Sequence, residues 1–190
     1  GKSSRLESWY GYDVRSQLTS VNGFLFNQKL YYNEQRTPDG TNRPCYNGNI
    51  SGMDWSVASD NVVRGYDYTY NRLSWLKSAS YLEGGIRKLG CFDTSYTYNK
   101  NGNLTGLKRY GQTNEDGYGL IDDLRIRHYG YQLKSVSDSA PSSACHDGFE
   151  FKDGSSSEVE YSYDENGNLT KDLNKNIVDI QYNCLNLPCR

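Results

Sequence analysis

The stretch Tyr161-Ser162-Tyr163-Asp164-Glu165-Asn166-Gly167-Asn168-Leu169-Thr170 alternates apolar and polar positions on both sides of an Asn-Gly pair. Period-two alternation around such punctuation predicts a β-hairpin. A loop of Glu165, Asn166 and Gly167 places Gly167 at positive φ, where a Cβ is costly. Asp164 then faces Asn168, and Tyr163 faces Leu169 across the strands. An aromatic–aliphatic pair of this kind contributes about 0.2–1 kcal/mol beyond Ala–Ala.

The pattern recurs. Tyr96-Thr97-Tyr98-Asn99-Lys100-Asn101-Gly102-Asn103-Leu104-Thr105 matches it almost residue for residue. Tyr12 to Leu18, Tyr70 to Leu76 and Tyr182 to Pro188 keep the interval from Tyr98 to Leu104 without the Gly-Asn. Cys45-Tyr46-Asn47-Gly48-Asn49-Ile50 and His128-Tyr129-Gly130-Tyr131-Gln132-Leu133 are one residue tighter and suit two-residue turns. The closing residues, 18, 50, 76, 104, 133, 169 and 188, recur roughly every 28 positions, which marks a repeat architecture.

Alternation elsewhere predicts strands over 5–12, 18–22, 50–57, 62–70, 73–81, 92–98, 104–110 and 120–129. Another pair, 24–26 and 29–32, is expected to turn at Asn27-Gln28. Residues 33–44, with Pro38-Asp39-Gly40 at their centre, read as a loop. Ser135 to Gly148 reads as a mobile polar excursion, and 148–153 as a short strand around Phe149 and Phe151. No stretch keeps apolar residues at helical spacing over three turns, so no helix is predicted. The expected fold is all-β, a curved antiparallel sheet of successive hairpins whose twist accumulates from strand to strand.

The phrases Tyr-Xaa-Tyr-Asp-Xaa-Asn-Gly-Asn-Leu-Thr and Tyr-Asn-Arg-Leu-Ser-Trp-Leu resemble the tyrosine–aspartate (YD) repeats of bacterial RHS proteins, from about Trp9 to Cys189. Asn replaces the family's Asp after Tyr70, Tyr98 and Tyr182, and Pro188 stands where a branched apolar residue is usual. The matching repeat positions are Tyr12, Leu18, Gly48, Asn49, Ile50, Tyr70, Leu76, Tyr98, Gly102, Asn103, Leu104, Leu133, Tyr163, Gly167, Asn168, Leu169 and Tyr182. The repeat spacing gives one repeat domain over 5–190 with about seven hairpin units, Gly1 in place of Met makes 1–4 a tag remnant or disordered, and the resemblance implies that the repeats form an arc of an RHS-type β-shell. It also implies a cell-surface or secreted parent whose repeats enclose other polypeptide. The family's signature core region and variable toxic domain have no counterpart after Tyr182.

Composition narrows the classes. Tyrosine, 18 of 190 residues, suits strands that bury a ring and wet a hydroxyl, and 19 Gly against 4 Pro suit tight turns. A net charge of −2 from 21 basic and 23 acidic residues offers no basic stripe for nucleic acid. No apolar run approaches the roughly 18–20 residues of a membrane-spanning helix. The five cysteines, Cys45, Cys91, Cys145, Cys184 and Cys189, are odd in number and widely spaced, and are expected to be free apolar wall residues.

Candidate chemistry is thin. His128 occupies a repeat turn. Cys145-His146-Asp147 holds the right residue types for nucleophilic catalysis, but such groups converge from different elements rather than adjoin in a loop. Asp164 to Asn168 superficially matches a calcium loop, yet Lys175 stands where the ligating Glu belongs. Asp122-Asp123 reads as an acidic turn before a strand, and the sequons at Asn49, Asn103 and Asn168 arise from the repeat itself. No catalytic, metal or cofactor residue is assigned, and the chain is expected not to be an enzyme.

The leading expectation is a structural repeat segment whose partners are the other repeats of its parent and an encapsulated C-terminal domain. The rival is a recognition module binding carbohydrate or a protein surface, which would gather Trp9, Trp55 and Trp75 in one exposed groove. The outer strands, 6–12 and 177–182, are expected to be open edges prone to self-association.

Overall fold

The structure, a computed structural model, describes residues 7–36, 42–145 and 149–189. The expected loop centre Pro38-Asp39-Gly40, residues 1–6, and His146 and Asp147 lie outside the described residues. The fold is all-β and antiparallel, and neither of its sheets closes into a barrel. Among the described residues there is no α-helix, only 3₁₀ geometry such as the turn Leu173–Lys175. The chain divides into two compact units, Gly1–Thr94 and Ser95–Arg190.

In the first unit β1 (Ser8–Tyr12), β2 (Leu18–Gly23), β3 (Phe26–Tyr31), β4 (Gly52–Val57), β5 (Arg64–Tyr70) and β6 (Leu76–Glu83) pair in chain order. The short β7 (Ile86–Arg87) folds back on β6 through Gly84 and Gly85, both at positive φ. Pleating sends alternate side chains to opposite faces. Trp55, Tyr66, Tyr81 and Phe92 consequently form a ladder, with centroids 5.7 Å apart for Trp55–Tyr66, 5.6 Å for Tyr66–Tyr81 and 5.1 Å for Tyr81–Phe92. Each such contact adds about 0.5–1.5 kcal/mol to the burial of the rings. Tyr31, Ala79, Tyr81 and Leu82 are the buried residues of this unit's core.

In the second unit β8 (Thr94–Tyr98), β9 (Leu104–Gln112), β10 (Tyr118–Tyr129) and β11 (Gln132–Asp138) follow in ladder order. β12 (Tyr161–Tyr163) and β13 (Leu169–Asp172) form a separate two-stranded sheet. Leu124, Val136 and Tyr161 make a buried cluster, flanked by Leu107, Ile126, Leu133, Phe151, Tyr163 and Leu169.

Several expected boundaries move. The hairpin expected at Asn27-Gln28 turns instead at Phe24-Leu25, and Asn27 and Gln28 lie within β3. Pairing on both sides of β3 outweighs the local turn preference of Asn, and the Asn27 side chain accepts the Gly23 N–H. Leu73 sits in a turn rather than in β6, because the Asn71 side chain binds the N–H groups of Leu73 and Trp75. Ser135 to Asp138 belong to β11, so the polar excursion is shorter than expected.

The expected strand around Phe149 and Phe151 does not form. The Phe151 N–H donates to the buried Asp122 carboxylate instead of joining a ladder. The segment 177–182 is likewise not a strand but runs through isolated contacts, among them Ile180 N–H to Thr170 C=O. Asp172 caps the preceding 3₁₀ turn by accepting from the Lys175 N–H, and Asn176 at φ 56° turns the chain out of the β13 direction.

Candidate functional site

Five turns share one scheme. At each, Asp13, Asn71, Asn99, Asp164 or Asn183 donates its N–H to the carbonyl four residues on, at 2.9–3.0 Å. Its side-chain Oδ1 accepts the N–H groups two and four residues on, at 2.8–3.1 Å. The residue three on takes positive φ: Ser16 61°, Ser74 62°, Gly102 86°, Gly167 83° and Asn186 57°. A short side-chain acceptor satisfies the N–H groups that the bulged turn leaves free, so Asp and Asn serve alike.

A tyrosine precedes each turn and an apolar residue closes it. Tyr12 pairs with Leu18, Tyr70 with Leu76, Tyr163 with Leu169 and Tyr182 with Pro188, and Tyr98 and Leu104 flank the Asn99 turn. His128 pairs with Leu133 around a two-residue turn in which Gly130 has φ 60°. The expected tight hairpin at Cys45 to Ile50 is different. Gly48 has φ 91°, but the Cys45 N–H donates to Tyr32 C=O and no Cys45–Ile50 ladder forms among the described residues.

Phenols tie strands together. At 3.0 Å the Tyr32 hydroxyl donates to Leu18 C=O, Tyr70 donates to Ile50 C=O at 2.7 Å, and Tyr182 to Leu169 C=O at 2.8 Å. Tyr163 differs: the hydrogen bond between its phenol and the Leu133 backbone lowers its pKa, so there the phenol oxygen accepts from the backbone N–H. Burial pushes Tyr70 up to about 12 and holds Tyr163 above its ordinary value. Amides tie turn to turn: Asn47 donates to Ser74 Oγ, Asn103 to Gly130 C=O and Asn168 to Asn186 Oδ1, at 2.8, 2.9 and 3.0 Å. Asn49 Nδ2, by contrast, is buried without a partner among the described residues.

A second constellation was not foreseen from sequence. Gly52-Met53-Asp54 and Gly65-Tyr66-Asp67 pair so that Gly52 faces Asp67 and Asp54 faces Gly65. Glycine and carboxylate alternate on one face, and the 7% exposed Arg36 side chain lies over the glycines. Its guanidinium reaches Asp54 at 3.0 Å and Asp67 at 2.7 Å, and donates to the carbonyls of Met53 and Tyr66 at 3.0 Å. A Cβ on Gly65 would stand 2.3 Å from Asp54 Oδ1 and 2.7 Å from Met53 O, so only glycine fits. Tyr31 completes the cluster, its hydroxyl donating to Asp54 at 2.8 Å. Burial, then the Asp54 bond, push its phenol up to about 12. The twin Gly-Xaa-Asp triplets were the available signal.

Buried acids of the second unit are committed in the same way. Asp122 is 0% exposed, paired with Arg109 and accepting from Phe151 N–H, while Arg109 also donates to Phe149 C=O. Asp122 and Asp123 lie within β10, not in a turn, and Asp123 pairs separately with Lys108. Glu160 accepts from Val136 N–H and Asn174 Nδ2 at 2.9 and 2.8 Å. Asp164 is held below the usual carboxylate range, first by the Asn168 amide and then by backbone N–H groups, so its oxygens serve the turn. No group of three or more His, Cys, Asp or Glu that could hold a metal occurs among the described residues.

All five cysteines are free thiols, and His128 Nδ1 is buried without a partner among the described residues. The tryptophans do not share one groove. Trp9 faces solvent, Trp55 stacks on Tyr66, and Trp75 closes the Asn71 turn. An open cleft of about 590 Å³ does mark the first unit, where Asn22, Asn27, Lys29, Tyr31, Glu34 and Asp54 are among the lining residues. Among the described residues no helix is long and apolar enough to cross a membrane. Comparison with known proteins matches no family model and no curated protein.

Proposed function

We propose that this chain is a non-catalytic structural segment of a cell-surface or secreted RHS-type protein, a stretch of β-wall that encloses or presents a C-terminal payload. The observation that carries the reading is the recurring tyrosine–Asx hairpin, with phenols and amides tying strands and turns together. Such ties make a wall from short strands that bury few aliphatic residues, and the buried ionisable groups Arg36, Asp67, Asp122 and Glu160 serve backbone and ion-pair positions. Limited proteolysis of the parent protein tests it. The polypeptide beyond the repeats should resist cleavage in the wild type and become sensitive when Tyr70→Ala and Asn71→Ala open one hairpin. Equal sensitivity in both would overturn the reading.

The rival reading, a carbohydrate- or protein-binding surface, is favoured by the polar cleft of the first unit. Its amides, Lys29 and carboxylates around the Tyr31 ring suit a hydroxyl-rich ligand. Calorimetric titration with neutral oligosaccharides separates the two. Binding lost in Lys29→Ala would support the cleft, and absence of heat at millimolar sugar would leave the structural reading alone.

A further inference from the structure

Asn-Gly occurs four times in this chain, at Asn22-Gly23, Asn47-Gly48, Asn101-Gly102 and Asn166-Gly167. Glycine has no side chain to shield its backbone nitrogen, so in an Asn-Gly pair that nitrogen can attack the asparagine side-chain carbon and close a cyclic imide. The fold restrains three of the four. The Gly23 N–H donates to Asn27 Oδ1 at 3.3 Å, the Gly102 N–H to Asn99 C=O at 3.2 Å and the Gly167 N–H to Asp164 C=O at 3.1 Å. A nitrogen held in a hydrogen bond keeps its proton and its orientation, and attacks only after that bond breaks. The Gly48 N–H has no acceptor among the described residues. Gly48 at φ 91° has nearly the conformation of Gly102 at 86° and Gly167 at 83°, so engagement of the N–H, not φ, sets it apart.

The Asn47 side chain is prepared as well. Asn47 and Gly48 are both exposed, so water reaches the reacting atoms. Asn47 Oδ1 accepts the Asn49 N–H at 3.2 Å, whereas no described donor reaches the Oδ1 of Asn22, Asn101 or Asn166. That N–H faces the oxygen on which negative charge develops during attack, and a fixed donor there stabilises the transition state. We propose that Asn47 is a site of spontaneous deamidation, favoured over the other three Asn-Gly pairs by its free Gly48 N–H. The Gly48 nitrogen gives its proton to hydroxide and bonds to Asn47 Cγ. The Cγ–Nδ2 bond then breaks, and Nδ2 takes a proton from water and leaves as ammonia. Water opens the imide at either carbonyl, leaving aspartate or isoaspartate at position 47 and an added negative charge. Nδ2 donates to Ser74 Oγ at 2.8 Å, so its departure removes the donor of one turn-to-turn tie. This inference does not depend on what the repeats do in a parent protein.

Peptide mapping by mass spectrometry tests the site on the full chain, incubated at mildly alkaline pH both folded and in guanidinium chloride. In the folded chain residue 47 should lose its amide about three- to tenfold faster than residues 22, 101 and 166, the worth of the one net hydrogen bond that each of those must first break. In denaturant the four rates should converge, because the unfolded chain frees every glycine N–H. Isoaspartate should accompany aspartate at position 47, since an imide opens at either carbonyl while direct hydrolysis of the amide gives aspartate alone. Deamidation at residue 47 of the folded chain no faster than at the other three, a preference that persists in denaturant, or aspartate without isoaspartate would each overturn the proposal.

Discussion

Arg36 shows how much one side chain can organise in a sheet with few aliphatic residues. It neutralises Asp54 and Asp67 together and satisfies two carbonyls from the strands between them. Removing one member of a buried ion pair leaves an uncompensated charge, which costs about 3–5 kcal/mol. Arg36→Ala should therefore lower the unfolding free energy obtained from urea titration by that order. Arg36→Lys should not restore it, because an ammonium cannot span both carboxylates and both carbonyls. Tyr31 and Tyr70 make a pH-dependent contribution. Both titrate near 12 in the fold, against about 10 in the unfolded chain. Below about pH 10 both states hold the proton and the stabilisation is complete. Between about 10 and 12 the unfolded chain releases protons that the fold retains, so stability falls as pH rises. Thermal melts should show this alkaline loss, and it should be smaller in Tyr70→Phe.

At the scale of the element, the Asx turn is the unit. Position 164 takes Asp where positions 71, 99 and 183 take Asn, with the same bonds. Asp164→Asn keeps both backbone N–H bonds and loses only the one from the Asn168 amide, so it should change the melting temperature little, while Asp164→Ala should cost about 1–2 kcal/mol through three lost side-chain bonds. The positive-φ position makes a prediction of opposite sign. Ser16 sits at φ 61°, and among the described residues its one hydrogen bond is the backbone one to Asp13. Ser16→Gly should stabilise by about 0.5–1 kcal/mol, since the left-handed conformation penalises a Cβ by more than glycine's added chain entropy. Gly167→Val should destabilise by about 1–2 kcal/mol for the same reason. Chemical denaturation of the variants checks all four.

For the whole chain, the five thiols report on both units. Burial holds the Cys45 and Cys91 thiols above their ordinary range, whereas Cys184 and Cys189 are exposed. The thiolate is the reacting species, so at neutral pH a disulfide reagent should modify Cys184 and Cys189 first and Cys45 and Cys91 slowly. Denatured protein kept free of reductant should give all five thiols. Recovery of only one thiol would reveal two disulfides and overturn the free-thiol assignment.

The turns at Asp13, Asn71, Asn99, Asp164 and Asn183 were legible in the sequence because everything that makes them lies within five consecutive residues. The pairing of Tyr163 with Leu169, the positive φ of Gly102 and Gly167, and the all-β class follow from the same local chemistry. Residues whose partners are distant in the chain were decided only by the tertiary structure. Asn27-Gln28 carries a turn composition, yet strands on both sides draw it into β3. Ile177 to Tyr182 carries strand composition, yet no ladder forms there. Arg36, in a polar loop, becomes the buried centre of the first unit because Asp54 and Asp67 are brought opposite two glycines by strand register. Turn geometry depends on neighbours along the chain, but the fate of a polar side chain depends on which charges and carbonyls the folded sheet sets beside it.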